Sequence, residues 1–371
     1  VKIGFFPVMA GRRGGGPETY EIQLLRALWK VAPEHEYHVF CLDQAAADAF
    51  AMSGEGVYFH VLKPRNRFLS MTLSLPFALR RAGVDVLHAT FTPPPWAPLR
   101  YVFTMHDTSM FDHPEFYPPM IRWRLNTLIR RGLSQSAVVL CISDYVRQAV
   151  RDRFAISDER LAVAWHGIEA CYRPMDGDQA RALVREYYEL DGPYILYVGK
   201  FEKRKNVFGI LNAFRRFVDR HGKDVHLVMA GKPDWNKAAV DREIEELGLQ
   251  GLVVTPGYVP GDHLPALYSA ARMFVFPSLW EGFGFPILEA MACGLPVVTS
   301  NTTGLAEVAG DAALLVDPRD CDAIAEAMAR CHYDDALRCE LIERGFERLR
   351  SFSWEQCARQ TLAVYERCLN A

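Results

Sequence analysis

The chain has 371 residues, half of them hydrophobic, and a formal net charge of −3. At ~100–200 residues per domain this length makes about two domains, and so apolar a composition excludes a disordered tail. The near-neutral balance removes any whole-molecule electrostatic case for nucleic acid as partner.

The charge is unevenly placed. Residues 1–170 hold 19 Lys and Arg against 16 Asp and Glu, a net of +3, and the remainder holds 23 against 29, a net of −6. The basic first half permits an anionic surface as partner. Nine cysteines, an odd number with no C-x-x-C pair, point to a reduced, cytoplasmic setting. No secretory h-region is read at the start, and no apolar run approaches the ~18–20 residues of a membrane span.

Val1–Val8 is a predicted buried strand. It feeds the loop Gly11-Arg-Arg-Gly-Gly-Gly16-Pro17-Glu18 and then a helix through Trp29. Strand, glycine loop and helix form the entry of nucleotide-binding α/β folds, although the spacing is not G-x-G-x-x-G. Asp43, after YHVFCL, is the candidate acidic residue of a dinucleotide fingerprint. Further strands are expected at 37–42, 57–62, 84–88, 101–105, 137–142 and 161–165, mostly separated by helices, which argues a doubly wound parallel sheet. Pro119–Leu133 is a predicted helix with Ile121, Leu125, Leu128, Ile129 and Leu133 on one arc and Arg124, Arg130 and Arg131 opposite. Its spacing fits a surface helix packed on the sheet, and a basic amphipathic helix can also lie on an anionic membrane.

The second half starts afresh after a polar stretch, 172–193, read as a linker with a short helix. Strands are expected at 194–198, 225–230, 252–255, 273–276 and 295–299, with helices at 207–218, 238–246 and 287–293. The domain boundaries follow: 1–171, then 172–353, with a last helix from Trp354.

Two loops of this half carry chemistry. Lys200, Lys203, Arg204 and Lys205 crowd the C-terminal end of the strand 194–198. A charge run is commonly a solvated face, but at this position it is placed to hold a diphosphate. After the strand 273–276, the chain runs through Glu281-Gly282-Phe283-Gly284-Phe285-Pro286 into a helix that carries Glu289 and stops at Gly294. Loop glycines let main-chain N–H groups approach a ligand, and a helix N-terminus favours an anion. Carboxylates beside that anion repel phosphate and suit hydroxyls, so the pattern fits a sugar nucleotide. The plain alternative is a buried βαβ unit whose glycines serve packing.

Glu281-Gly-Phe-Gly-Phe-Pro-Ile-Leu-Glu289, continuing Ala-Met-Ala-Cys-Gly294-Leu-Pro296, resembles the E-x7-E signature of retaining family 4 glycosyltransferases. The resemblance implies the GT-B fold: two Rossmann-like, doubly wound α/β domains facing a cleft, the first on the acceptor side, the second on the donor side, and a terminal helix (354–371) crossing back to the first. It implies catalytic roles for Glu281, His106 (of the His106-Asp107 pair), Arg204 and Lys205. It also implies donor binding by Gly15, Gly16, Lys200, Tyr258, Val259, Gly282, Phe283, Gly284, Phe285 and Glu289. Lys200 stands where the family often has Arg, and Gly304-Leu-Ala-Glu307-Val lacks the proline of the family's L-P-E-V.

No H-E-x-x-H, Cys/His metal spacing or G-x-S-x-G is present, and no D-x-D is placed by a strand to hold a metal–diphosphate. The expected enzyme is a metal-independent, retaining transferase in polysaccharide biosynthesis. It takes a nucleotide-sugar donor, GDP-mannose in preference to a UDP- or dTDP-sugar, needs no other cofactor, and transfers to a glycan or lipid-linked acceptor. It is expected in the cytoplasm, with peripheral contact at the inner face of the membrane through the first domain. The competing readings are another GT-B sugar-nucleotide enzyme, such as an epimerase or a phosphorylase, a non-catalytic sugar-nucleotide-binding subunit, and a NAD-dependent dehydrogenase.

Overall fold

The structure, a computed structural model, describes residues 1–12, 14–64, 66–232 and 237–370. The chain divides into two compact units, 1–167 with 352–371, and 168–351. Each is built on a parallel sheet buried on both faces, so its strands are short, nearly continuous apolar runs.

In the first unit the strands are β1 (Lys2–Phe6), β2 (Glu36–Cys41), β3 (Val57–Val61), β4 (Val86–Ala89), β5 (Tyr101–Met105), β6 (Val138–Cys141) and β7 (Leu161–Val163). They are ordered β3-β2-β1-β4-β5-β6-β7, all parallel. The order reverses between β1 and β4. Loops leaving the two strands at such a reversal diverge to opposite faces and open a crevice at their C-terminal ends.

The first helix, Gly16–Val31, has Pro17 in its opening turn and buries Tyr20, Glu21, Leu24, Leu25 and Leu28 along one face. The last helix, Trp354–Asn370, packs beside it, burying Cys357, Ala358, Val364, Tyr365 and Cys368 in the same core. Tyr37 ties the layers together by donating to the carbonyls of Leu28 and Ala32, at 2.9 Å each.

In the second unit the strands are β8 (Tyr194–Val198), β9 (His226–Ala230), β10 (Val253–Gly257), β11 (Met273–Phe276), β12 (Val297–Ser300) and β13 (Leu314–Val316). They are ordered β10-β9-β8-β11-β12-β13, again all parallel, with the reversal between β8 and β11.

Several elements depart from the sequence expectation. β13 was not expected, because three residues are too few to show a period. The polar stretch read as a linker holds a 12-residue helix, Gly177–Tyr188, capped by Asp176 and seated by Ala180 and Val184. The helix Pro119–Gln135 buries only Ile129, Gly132 and Leu133, and Ile121, placed on the inward arc by its spacing, is exposed. Asp43, just past the end of β2, caps the helix Gln44–Asp48 and pairs with Arg12.

Candidate active site

The reversal between β8 and β11 brings the two charged loops of the second unit together. The loop after β8 makes one tight turn, Lys203–Lys205, and ends at Asn206 in the left-handed conformation (φ 60°). The Asn206 side chain donates to the carbonyls of Pro277 (2.9 Å) and Pro318 (2.6 Å), and the Leu279 N–H donates to the Arg204 carbonyl (2.8 Å). The loop is thereby pinned to the end of β11.

The side chains then meet. Glu281, only 8% exposed, receives Arg204 Nη1 on one oxygen at 3.1 Å and Lys205 Nζ on the other. Arg204 Nε also holds Glu202 at 2.8 Å, Lys200 lies 4.0 Å from Glu202, and the Lys205 ammonium sits 4.8 Å from the centre of the Phe276 ring. Burial pushes the Glu281 carboxyl up, but Lys205 and then Arg204 outweigh it and hold the group below its ordinary range. Burial lowers the proton affinity of Lys205, with Glu281 opposing. Glu281 is therefore an ionised anion held between two cations.

The loop beyond it is closely packed. Gly284 has φ +118° and a side chain there would meet Leu305 Cδ2 at 2.6 Å; one at Gly304 would meet the Gly282 carbonyl oxygen at 2.3 Å. Gly304 N–H donates to the Glu281 carbonyl at 3.0 Å, so the turn opening helix Thr303–Ala309 fixes the backbone of the glutamate. Thr303 takes a left-handed φ of 65°, rare for a β-branched residue. The buried hydroxyls of Thr303 and Ser278 have no hydrogen-bond partner among the described residues, an arrangement that points to a ligand or water. Neither was singled out from the sequence. The signal available was their place at the ends of β12 and β11. Phe283 and Phe285 pack edge to face at 5.6 Å.

Glu289 lies in the second turn of the helix Phe285–Ala292, which begins two residues before the expected start at 287. Tyr268 donates to it at 2.8 Å. Burial raises its pKa to about 7 against the hydrogen bonds from Tyr268 and Tyr172, and the nearby charge of Glu169 adds to the rise. Tyr268, Tyr172 and Glu169 were all missed from the sequence. Tyr258, half exposed after β10, has the Lys232 ammonium 5.4 Å from its ring centre, and Val259 next to it is buried.

His106, Gly15 and Gly16 belong to the first unit. Thr90, leaving β4, accepts a 2.7 Å hydrogen bond from His106 Nε2 on its carbonyl, so the proton of the ring is on Nε2. Burial lowers the pKa of His106 to about 4, which makes it a neutral imidazole with Nδ1 as acceptor. The Asp107 carboxylate is used locally, accepting from the amide and hydroxyl of Ser109. Gly15 caps the first helix, its carbonyl accepting from Glu18 and Thr19.

The amides before it are engaged by two carboxylates. Glu21 accepts from Val8, Met9 and Ala10 at 2.7–2.8 Å and from the Thr90 hydroxyl at 2.6 Å. Glu18 accepts from Gly11 and Gly14. Burial raises the Glu21 pKa to about 7 in spite of its four donors. Among the described residues, no group of three His, Cys, Asp or Glu side chains is arranged to hold a metal ion.

Residues 185–348 match the family described as "Glycosyl transferases group 1", and residues 14–170 match "Glycosyltransferase Family 4". The chain is 36% identical over 267 residues to the O-antigen chain mannosyltransferase B of Escherichia coli, covering 72% of this chain and 70% of that protein. The chain belongs to the family 4 glycosyltransferases. Solved structures agree in fold. The sucrose-phosphate synthase of Thermosynechococcus elongatus superposes on the glycosyltransferase with a TM-score of 0.79 over 98% of both chains at 22% identity. The Anabaena protein HepE in complex with UDP-glucose gives 0.78 over 98% of this chain and 99% of its own at 18% identity. The two parallel α/β units of this glycosyltransferase are those of the GT-B fold.

Proposed function

We propose that this glycosyltransferase moves mannose from a nucleoside-diphosphate sugar, GDP-mannose in preference to a UDP- or dTDP-sugar, onto a glycan or lipid-linked acceptor. Transfer proceeds with retention and without a divalent metal. The observation that carries the reading is Glu281 held between Arg204 and Lys205 at the β8/β11 reversal. Two part-buried cations, met by Glu281 and, at Arg204, also by Glu202, form a seat that a diphosphate, with more charge, takes over by displacing Glu281. The diphosphate pairs with Arg204 and Lys205, with Lys200 at the rim, and those cations stabilise the charge growing on the leaving group as the sugar departs. A fixed cation does here what a metal does in other transferases.

Glu281, released from its partners, turns to the hydroxyls of the sugar and steadies the oxocarbenium-like charge. The acceptor attacks the face that the diphosphate leaves, and the departing phosphate takes the acceptor proton. Glu289, as an acceptor pair backed by Tyr268, holds the ribose hydroxyls; Tyr258 and Val259 bracket the base. The amides from Gly282 to Phe285 border the phosphates. Neutral His106 accepts a sugar hydroxyl at Nδ1, and Gly15 and Gly16 offer main-chain amides to the donor or acceptor.

Mannose and a polysaccharide acceptor are favoured by the similarity to an O-antigen mannosyltransferase, and a sugar nucleotide by HepE, which shares the fold and binds UDP-glucose. The enzyme works in the cytoplasm, its first unit touching the inner face of the membrane that carries the acceptor. Incubation with GDP-mannose, UDP-glucose and dTDP-sugars, with release of nucleoside diphosphate followed with and without EDTA, tests the reading. GDP release from GDP-mannose that survives EDTA, with an α-linked product by NMR, is the expected result. A metal requirement or an inverted product contradicts the clamp mechanism, and release only from UDP- or dTDP-sugars contradicts the donor.

A further inference from the structure

Two helical runs of the first unit expose apolar side chains in a row. Residues 67–82 form a helix interrupted by a π-helical turn, Ser70–Ser74. Ser70, Met71, Leu75, Pro76 and Leu79 face inward, while Phe68, Leu69, Leu73 and Phe77 face out. The first two turns of the helix Pro119–Gln135 also stand clear of the body, with Met120, Ile121 and Trp123 exposed. Exposure runs from 64% at Leu73 to 82% at Met120 for the five most open of these.

The two runs are neighbours, joined by the segment 91–96. Trp96 donates to the Thr72 carbonyl at 2.9 Å, Arg67 reaches Thr92 at 3.3 Å, Arg131 donates to the Pro95 carbonyl, and Gly132 lies flat against the Pro93 ring. Arg124 is close enough to Arg67 to add to the effect of burial in lowering its proton affinity. The surface is therefore shared, and it far exceeds the scattered single apolar residues of an ordinary exterior.

Its charge is of one sign. The stretch 63–82 has five basic and no acidic residues, and 118–136 has four basic and none acidic. Aromatic and aliphatic tips standing among arginines, with no carboxylate between them, match the bilayer interface: anionic headgroups above and acyl chains just below. Tryptophan beside arginine is the pairing that settles at that depth.

We infer that helices 67–82 and 119–135 form one docking surface for anionic phospholipid, with Phe68, Leu73, Phe77 and Trp123 entering the headgroup–acyl boundary. The inference rests on the proposed membrane-borne acceptor for its purpose and on the surface itself for its existence. Docking here holds the first unit against the membrane through two elements, only one of which shows a basic amphipathic pattern in the sequence.

The test is co-sedimentation of the full chain with phosphatidylcholine vesicles with and without phosphatidylglycerol. Binding is expected with phosphatidylglycerol, weakening as salt is raised, with a blue shift of tryptophan emission that Trp123→Ser reduces. Phe77→Ser with Trp123→Ser is expected to bind at least about tenfold more weakly, and Arg122→Gln with Arg124→Gln about 30-fold more weakly. Both double variants keep the turnover of a soluble acceptor, which shows that they fold. Equal sedimentation of the wild type with the two lipids at low salt, or of the variants and the wild type, overturns the inference. Variants that stop self-association in light scattering yet still bind vesicles assign the surface to a second copy and overturn it too. Vesicle binding without sugar transfer sinks the proposed function and leaves the surface standing; transfer without vesicle binding does the reverse.

Discussion

The two units reverse their strand order in the same way and use the crevice in opposite ways. In the first, a buried carboxylate, Glu21, gathers the amides that follow β1 and the hydroxyl of Thr90 that follows β4. In the second, two cations that follow β8 gather a carboxylate that follows β11. A strand-end loop whose amides are already bonded to carboxylate is a finished structural joint. One whose cations meet a side chain that a ligand can displace is the candidate binding site. The glycine-rich loop is the more familiar phosphate signal, yet Glu18 and Glu21 engage most of its described amides, while Arg204 and Lys205 stand at the β8/β11 reversal. Among the described residues, the carboxylate bonds in the first loop do not reach the amides of Gly15 and Gly16, and a ligand role there is proposed for those two alone.

The sharpest way to break the comparison is to remove one cation. Lys205→Ala is expected to lower kcat/KM by about 10²–10³-fold, the scale of one lost charge-stabilising donor. It also leaves Glu281 short of a partner, and the double variant Lys205→Ala/Glu281→Gln is expected to lose less than the sum of the two single losses. Additive losses in steady-state kinetics mean that the pair is not a unit.

On the other side, Glu21→Gln turns an NH2 donor towards groups that themselves donate and breaks about two of four bonds. Roughly 2–4 kcal/mol of first-unit stability should go, read as a lower urea midpoint with donor affinity unchanged. A variant of wild-type stability that binds donor poorly contradicts the structural role.

Both buried glutamates also make stability depend on pH. Glu21 and Glu289 have folded-state pKa values raised to about 7. A raised carboxyl contributes fully below its unfolded value and loses that contribution as pH rises through the folded one. Stability is therefore expected to fall between about pH 4.5 and 7, by up to ~3 kcal/mol for each group. Denaturation at pH 5, 6 and 8 checks this against Glu289→Gln, which should flatten the second unit's share.

The smallest effect concerns donor binding. Ionisation of Glu289 improves its grip on ribose hydroxyls, so donor KM should fall as pH rises through about 7. Glu289→Gln should raise KM by about tenfold and remove that limb. An unchanged pH profile takes Glu289 out of the ribose site.

The strands were legible because parallel strands buried on both faces are apolar throughout, as YVFTM and MFVF are. β13, three residues with Leu315 exposed, left no such trace. The arc of helix 119–135 misled at Ile121 because period alone does not say where the body of the protein ends. The clamp joins positions 76 and 77 residues apart. Spacing cannot pair such residues, and only a family signature or the topology brings them together. Glu21 was missed although its place on the apolar stripe with Tyr20, Leu24 and Leu28 marked it. A carboxylate on a buried face needs donors, and the nearest were the amides of the loop before it.

The measurement closest to the central claim is calorimetric titration of GDP into the wild type and Arg204→Ala, with EDTA present throughout. Binding without metal, weakened by about 10- to 150-fold in the variant at unchanged thermal stability, is the predicted result. Equal affinities, or binding that appears only after Mg²⁺ is restored, contradict the claim that Arg204 and Lys205 are the diphosphate seat.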